Sequence, residues 1–322
     1  MNNPRTIRLA AAAVLLAALP PAHAQDYPAR SIRIVLPFSP GGGTDLLARL
    51  LSKRFYEAFG QTAAVDNRPG AGGNLGAEIV AKSAPDGYTL LMSTASLAVN
   101  VTLYPKLPYD LRRDLIPITQ VASAPLVVTV HPSVPARSVR EFVALAKKTK
   151  GGLNFGSNGT GTTSHLGMVM FTQAAGISLT HIPYKGAGAL LTSLLSGEVE
   201  MGFPAVISVQ PHIRSGKLRA LAVTTIRKSS ALPDVPTLDS MYPGFDIDNW
   251  FALFAPAGTS PAIVNRIHAE VVKGLQHTES KAFMKNEGAE PVASSPTEFA
   301  AFVAREIDKY AKIVKLSGAK PE

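Results

Sequence analysis

The chain has 322 residues, a formal net charge of +9 and not one cysteine, which rules out disulfides, thiolate metal sites and thiol nucleophiles. The length suits two compact lobes of about 100 to 150 residues each. Lysines and arginines are scattered, with short groups only at Arg112-Arg113 and Lys147-Lys148 and no interleaved aromatics, so nucleic acid is not an expected partner.

The first 24 residues read as a secretory leader. Arg5 and Arg8 precede an apolar run over 9–19, Pro20-Pro21 breaks it, and Ala22-His23-Ala24 has the small-x-small form of a cleavage site. The run is shorter than the about 20 apolar residues a membrane span needs, and no cysteine follows to carry a lipid. Export to the periplasm and a soluble mature chain from Gln25 are expected.

Beyond the leader, strand and helix patterns alternate. A strand is predicted at 32–36, a loop at 37–43 and a helix over 44–59, where Leu46, Leu47, Leu50, Leu51 and Phe55 recur at three- and four-residue spacing until Gly60. A second unit follows: strand 63–65, loop 67–73, helix 74–84, turn 85–87 and strand 88–92. The proline-containing stretch 104–117 reads as irregular connection. The pattern restarts with strand 126–130, helix 138–148, strand 153–155, a second glycine-rich loop at 157–161 and a helix over 162–175. Residues 219–225 are strand-like, and the tail from Ala262 is mostly helical. This order predicts an α/β fold with largely parallel sheets, divided into lobe 1 (25–123 and 226–322) and lobe 2 (124–225).

Two loops carry the chemistry. Pro40-Gly41-Gly42-Gly43-Thr44-Asp45 and Gly156-Ser157-Asn158-Gly159-Thr160-Gly161-Thr162-Thr163-Ser164 each join a strand to a helix. Glycines allow close backbone approach, and the amides at a helix start attract anions. Serine and threonine hydroxyls add donors, so a carboxylate can be held without arginine. The competing reading makes Thr44 and Thr162 helix caps and the glycines turns. Asp45 either meets ligand through water or complements its helix dipole. His165 either meets ligand or is a structural histidine.

Other motifs fail. Leu75 stands where a dinucleotide fingerprint over 70–76 requires its third glycine, and no phosphate-binding loop with a following lysine is present. The histidines lack paired metal-ligand spacing, so neither metal nor cofactor is expected. Trp250, the sole tryptophan, is expected in core or hinge packing.

At these residues the sequence resembles the substrate-binding proteins of tripartite tricarboxylate transporters, the Bug family. The matching stretches are Val35-Leu36-Pro37-Phe38-Ser39-Pro40-Gly41-Gly42-Gly43-Thr44-Asp45, Asn67-Arg68-Pro69-Gly70-Ala71-Gly72-Gly73-Asn74, Gly159-Thr160-Gly161 with Ser164-His165-Leu166, and His181-Ile182-Pro183-Tyr184-Lys185-Gly186. The resemblance implies a periplasmic binding protein fold of type II, two α/β lobes closing on a hinge. It implies that Phe38, Gly42, Gly43, Thr44 and Asp45 hold a carboxylate with Ser157, Asn158, Gly159, Thr160, Gly161, Ser164 and His165, and that Thr94 lines the cleft. It also implies a di- or tricarboxylate, aromatic acid or acidic amino acid as ligand and a membrane permease as partner; the protein is expected to be monomeric. Ala189 and Ser193 depart from the family's usual proline and aspartate, on a helix expected to lie away from both loops. Two other functions fit the pattern: a sensing adaptor for a receptor kinase, and a hydrolase. The second needs Ser164 and His165 as nucleophile and base, although adjacent helical residues point apart.

Overall fold

The computed structural model describes residues 27–321; the expected leader lies outside them. Two mixed sheets form the frame. The first contains β1 (Ile32–Leu36), β2 (Ala63–Asn67), β3 (Thr89–Thr94), β4 (Leu115–Pro125), β10 (Asp248–Pro256) and β11 (Glu290–Pro291), in the order β11-β4-β10-β3-β1-β2. The second contains β5 (Val127–Val130), β6 (Leu153–Ser157), β7 (Leu179–Pro183), β8 (Met201–Gly202) and β9 (Arg219–Val223), in the order β7-β6-β8-β5-β9.

Parallel pairing is confined to β2-β1-β3 and β7-β6-β8, and the remaining neighbours are antiparallel. The expectation of largely parallel sheets holds for half of each sheet. It fails where strands cross between them: β4 leaves the first sheet at Pro125, and β5 opens the second at Val127. The chain returns through Thr224 and Ile247. Thr224 Oγ1 donates to the carbonyls of Leu126 (3.1 Å) and Ile247 (2.6 Å), lacing the crossing segments together.

Among the described residues eleven α-helices pack on these sheets: α1 (Gly43–Phe59), α2 (Asn74–Ala81), α3 (Ser96–Leu103), α4 (Leu111–Asp114), α5 (Val139–Lys148), α6 (Thr163–Ala175), α7 (Ala187–Ser196), α8 (Val206–Arg214), α9 (Pro261–Gln276), α10 (Thr278–Glu287) and α11 (Pro296–Ser317). The predicted spacing on α1 is met in part: Leu47, Leu51 and Phe55 are fully buried, whereas Leu46 and Leu50 are half-buried at the edge of the core. Gly60, in the left-handed region, ends the helix.

Stretch 104–117 is more regular than expected, since it includes α4 and the start of β4. Pro117 sits inside that strand opposite Phe254, beside a register shift; at such a bulge a residue without an N–H is tolerated. Trp250 is 1% exposed, donates Nε1–H to Glu306 Oε2 at 3.0 Å and meets Phe299 edge-on, as a core residue should. No described helix is long and apolar enough to cross a membrane.

Candidate functional site

Between the two sheets lies an inner compartment of about 20 Å³, room for a single small group. Five helices begin at its wall. The first turns of α1 (Gly43, Thr44), α3 (Ser96), α6 (Thr163), α7 (Ala187) and α8 (Ser208) all line it, with the flanking residues Gly42, Thr162 and Ala205. Each helix start presents backbone N–H groups without intrahelical partners and about half a positive charge. The first sheet supplies α1 and α3, and the second supplies α6, α7 and α8.

The starts are finished in an unusual way. Gly42, Ala95, Gly186 and Ala205 occupy the cap positions of α1, α3, α7 and α8, and none offers a side-chain acceptor. Only Thr162 caps its helix, accepting from His165 N–H. Hydroxyls of the wall meet some of the amides instead. Ser208 Oγ accepts from Gly43 N–H (2.9 Å), Thr94 Oγ1 from Ser96 N–H (3.3 Å) and Ser39 Oγ from Ala189 N–H (3.4 Å). Thr94 Oγ1 also donates to Ser96 Oγ, and Thr163 Oγ1 to Asn249 Oδ1. Phe38 and Phe251 supply the apolar wall. Among the described residues no charged side chain lines the compartment.

Phe38 and Asn158 also line an adjoining outer compartment of about 220 Å³, whose wall includes Gly72, Tyr104, Gly159, Thr160, Tyr184 and Lys185. The amide oxygen of Asn158 is buried with no hydrogen-bond partner among the described residues.

The residues singled out from sequence therefore separate. Phe38, Gly42, Gly43, Thr44, Thr94 and Asn158 line the inner compartment, while Gly159 and Thr160 line the outer one. Asp45, Ser157, Gly161, Ser164 and His165 line neither. Asp45 is 4% exposed and accepts from Arg49, Asn67 Nδ2 and Gly41 N–H. Burial opposes its ionisation, but these donors outweigh it and hold the carboxyl below the usual range. Asp45 thus braces the first loop from beneath.

The second loop has its own brace. His165 stacks on His181 (4.5 Å between centroids) and His181 on Phe155 (4.7 Å). Ser157 Oγ lies 2.7 Å from His181 Nε2 and accepts from Gly159 N–H. Gly161 has φ +84°, and a Cβ there would overlap Asn100 Oδ1, so the glycine serves close contact with α3. Ser164 Oγ is buried without a hydrogen-bond partner among the described residues.

Sequence reasoning missed Ala187, Ala205, Ser208, Asn249 and Phe251, while Ser39 and Thr163 lay within the two loops without being singled out. It also placed the helix bearing Ala189 away from both loops, whereas α7 begins against the first of them. Ser39 N–H donates to Lys185 O at 2.8 Å, and a Cβ on Gly188 would overlap the carbonyl of Pro40. With alanine in place of the usual proline, position 189 keeps the N–H that meets Ser39. Among the described residues no group of three metal-ligating side chains is assembled.

Residues 47–319 match the family model described as tripartite tricarboxylate transporter family receptor. The protein BugT of Bordetella pertussis is 39% identical over 303 residues, covering 93% of each chain. The chain belongs to this receptor family. Two solved structures share its architecture. Rpa4515 of R. palustris with adipate has a TM-score of 0.88 at 33% identity, covering 92% of this chain and 100% of that one. MatC from Rhodopseudomonas palustris with bound malate has a TM-score of 0.84 at 30% identity, covering 89% and 100%. The receptor is thus a solute-binding protein of a tripartite transporter, with the two-sheet frame of a periplasmic binding protein.

Proposed function

We propose that the receptor captures a small carboxylate between its lobes, 25–123 with 226–322 and 124–225, and delivers it to membrane permease subunits. In this reading it is exported behind a cleaved leader of 24 residues, acts as a monomer and performs no chemistry on its ligand. The observation that carries the proposal is the convergence of five helix starts on a compartment lined by no charged side chain. Such a site favours an anion through oriented amides and hydroxyls. The adipate and malate named with two relatives are carboxylates of this kind.

In this site Gly42 and Thr44 offer donors from the first sheet, Asn158 and Thr163 from the second, Gly43 is engaged by Ser208, and Thr94 with Ser96 close the floor. A hydrolase would need Ser164 in contact with a base. Its buried hydroxyl has no such partner, and neighbouring His165 is stacked on His181.

Calorimetric titration of the mature chain with mono-, di- and tricarboxylates, aromatic acids and amino acids tests the proposal. Binding of one acid class is expected, with at least tenfold weaker affinity in Thr44→Val, which keeps shape and loses a hydroxyl. If no acid binds the folded protein, or a neutral or cationic solute binds instead, the proposal is wrong.

A further inference from the structure

One polar atom of the site has no part in holding an anion, and it sits at a boundary. Phe38 and Asn158 line both compartments, and Asn158 is the polar one of the two. Its amide oxygen is buried and accepts no hydrogen bond among the described residues. Donors of its own loop are committed elsewhere. Gly159 N–H donates to Ser157 Oγ, Gly161 N–H to His165 Nδ1 and Thr162 N–H to Gly159 O. The hydroxyls of Thr162 and Thr163 donate to Gly159 O and Asn249 Oδ1, and a hydroxyl has only one proton to give. Packing fixes the backbone on both sides of Asn158. Strand β6 holds Ser157 before it. After it, a Cβ on Gly159 would press on the carbonyl of Tyr184, and one on Gly161 would overlap Asn100.

Building on the carboxylate reading above, we infer that Asn158 reads the ligand carbon next to the bound carboxylate. Its amide oxygen accepts from a hydroxyl or ammonium on that carbon, so acids bearing such a donor bind in preference to acids unsubstituted there. The placement follows from the two compartments. The inner one has room for a single small group, so a carboxylate that fills it sets its next carbon at the boundary, beside Asn158. A donor on that carbon meets the oxygen. Hydrogens on carbon do not, and the oxygen then stays buried without a partner, which costs more than the loss of an exposed contact. A site with a buried polar group aimed at a ligand donor rejects the analogue lacking that donor far more strongly than an apolar pocket rejects a missing methylene. The discrimination belongs to the acceptor of one side chain, and it is independent of what the far end of the ligand carries.

Matched acids test this without knowledge of ligand length. Propanoate, 3-phenylpropanoate, succinate and glutarate are each compared with the 2-hydroxy acid (lactate, 3-phenyllactate, malate, 2-hydroxyglutarate). Each is also compared with the 2-amino acid (alanine, phenylalanine, aspartate, glutamate), in both enantiomers, which tells hydroxyl from ammonium. Calorimetry is run on the mature protein, Asn158→Leu and Asn158→Asp. At least one substituted acid is expected to bind about tenfold or more tighter than its parent. Asn158→Leu removes the acceptor and is expected to collapse that ratio toward unity, any loss common to both acids cancelling. Asn158→Asp keeps an acceptor and is expected to preserve the ratio for a hydroxy acid and widen it for an amino acid. Parent acids that bind as tightly as both derivatives overturn the inference and leave the carboxylate reading standing. So does a ratio unchanged in Asn158→Leu, or one lost equally in Asn158→Asp. Failure of every acid on this panel and on the broader one overturns both.

Discussion

At the periphery, Asp110, Ser138, Ser260, His277 and Ser295 each turn a side chain onto the first amides of the helix that follows, and Ser295 does so in a full capping box with Glu298. At the cleft, Gly42, Gly73, Ala95, Gly186 and Ala205 precede helices and provide no such group. A side-chain cap contributes about 0.5–2 kcal/mol relative to alanine. Stability alone would favour caps everywhere. On the cleft side some of the uncapped amides meet wall hydroxyls and the rest are, in the proposed function, the donors kept for a ligand, with Thr162 the exception among the cleft-facing starts. The contrast teaches that a binding site can be recognised by what its helices forgo.

The largest effect is expected at α7. Glycine in the first turn of that helix permits its backbone to reach Pro40. In Gly188→Ala the added methyl keeps the sheets apart, so affinity for the bound acid is expected to fall at least a hundredfold. Alanine favours the helix by about 1 kcal/mol, which offsets part of the strain against the Pro40 backbone, so only a small fall in melting temperature is expected. Titration calorimetry with a melting curve checks both, and unchanged affinity would remove the contact from the binding event.

A smaller effect is expected when a cleft-facing start is finished like a peripheral one. Ala205 lies in the extended conformation of a cap residue and borders the compartment. Ala205→Asp should add about 1 kcal/mol of stability through capping, read as a higher melting temperature, and lower affinity at least tenfold because its carboxylate competes for the same donors. Stability and affinity moving together in either direction would contradict the trade. The mildest change is the reciprocal one. Ser295→Ala on α11 is expected to lose about 1 kcal/mol in denaturant unfolding and leave the dissociation constant where it was.

Local units were legible in the sequence. The strand–loop–helix segments ending in α1 and α6 announce themselves by apolar spacing and glycine-rich turns, and these segments hold Phe38, Gly42, Gly43, Thr44 and Asn158, all on the compartment wall. Ala187 and Ala205 escaped because a helix start offers backbone amides and its side chain need carry no chemical signal. Ser208, Asn249 and Phe251 escaped because α8 and β10 reach the compartment only through the crossing of the chain between sheets. Asp45, Ser164 and His165 drew attention as polar residues in the right loops, but helical geometry turns them inward, beneath the surface they support. Strand β4 was partly hidden by Pro117, whose tolerance depends on a register shift in its partner.

The inner compartment's reliance on main-chain amides has a consequence for how such receptors diversify. A side-chain ligand contact can be deleted by one codon change, whereas an amide contact persists under almost any substitution that preserves the path of the chain. If the proposed site holds the carboxylate, mutation in a duplicated gene would leave its capture intact and act on the side chains of the outer wall. One half of the cleft is thus buffered against drift, and the other is open to selection for a new solute.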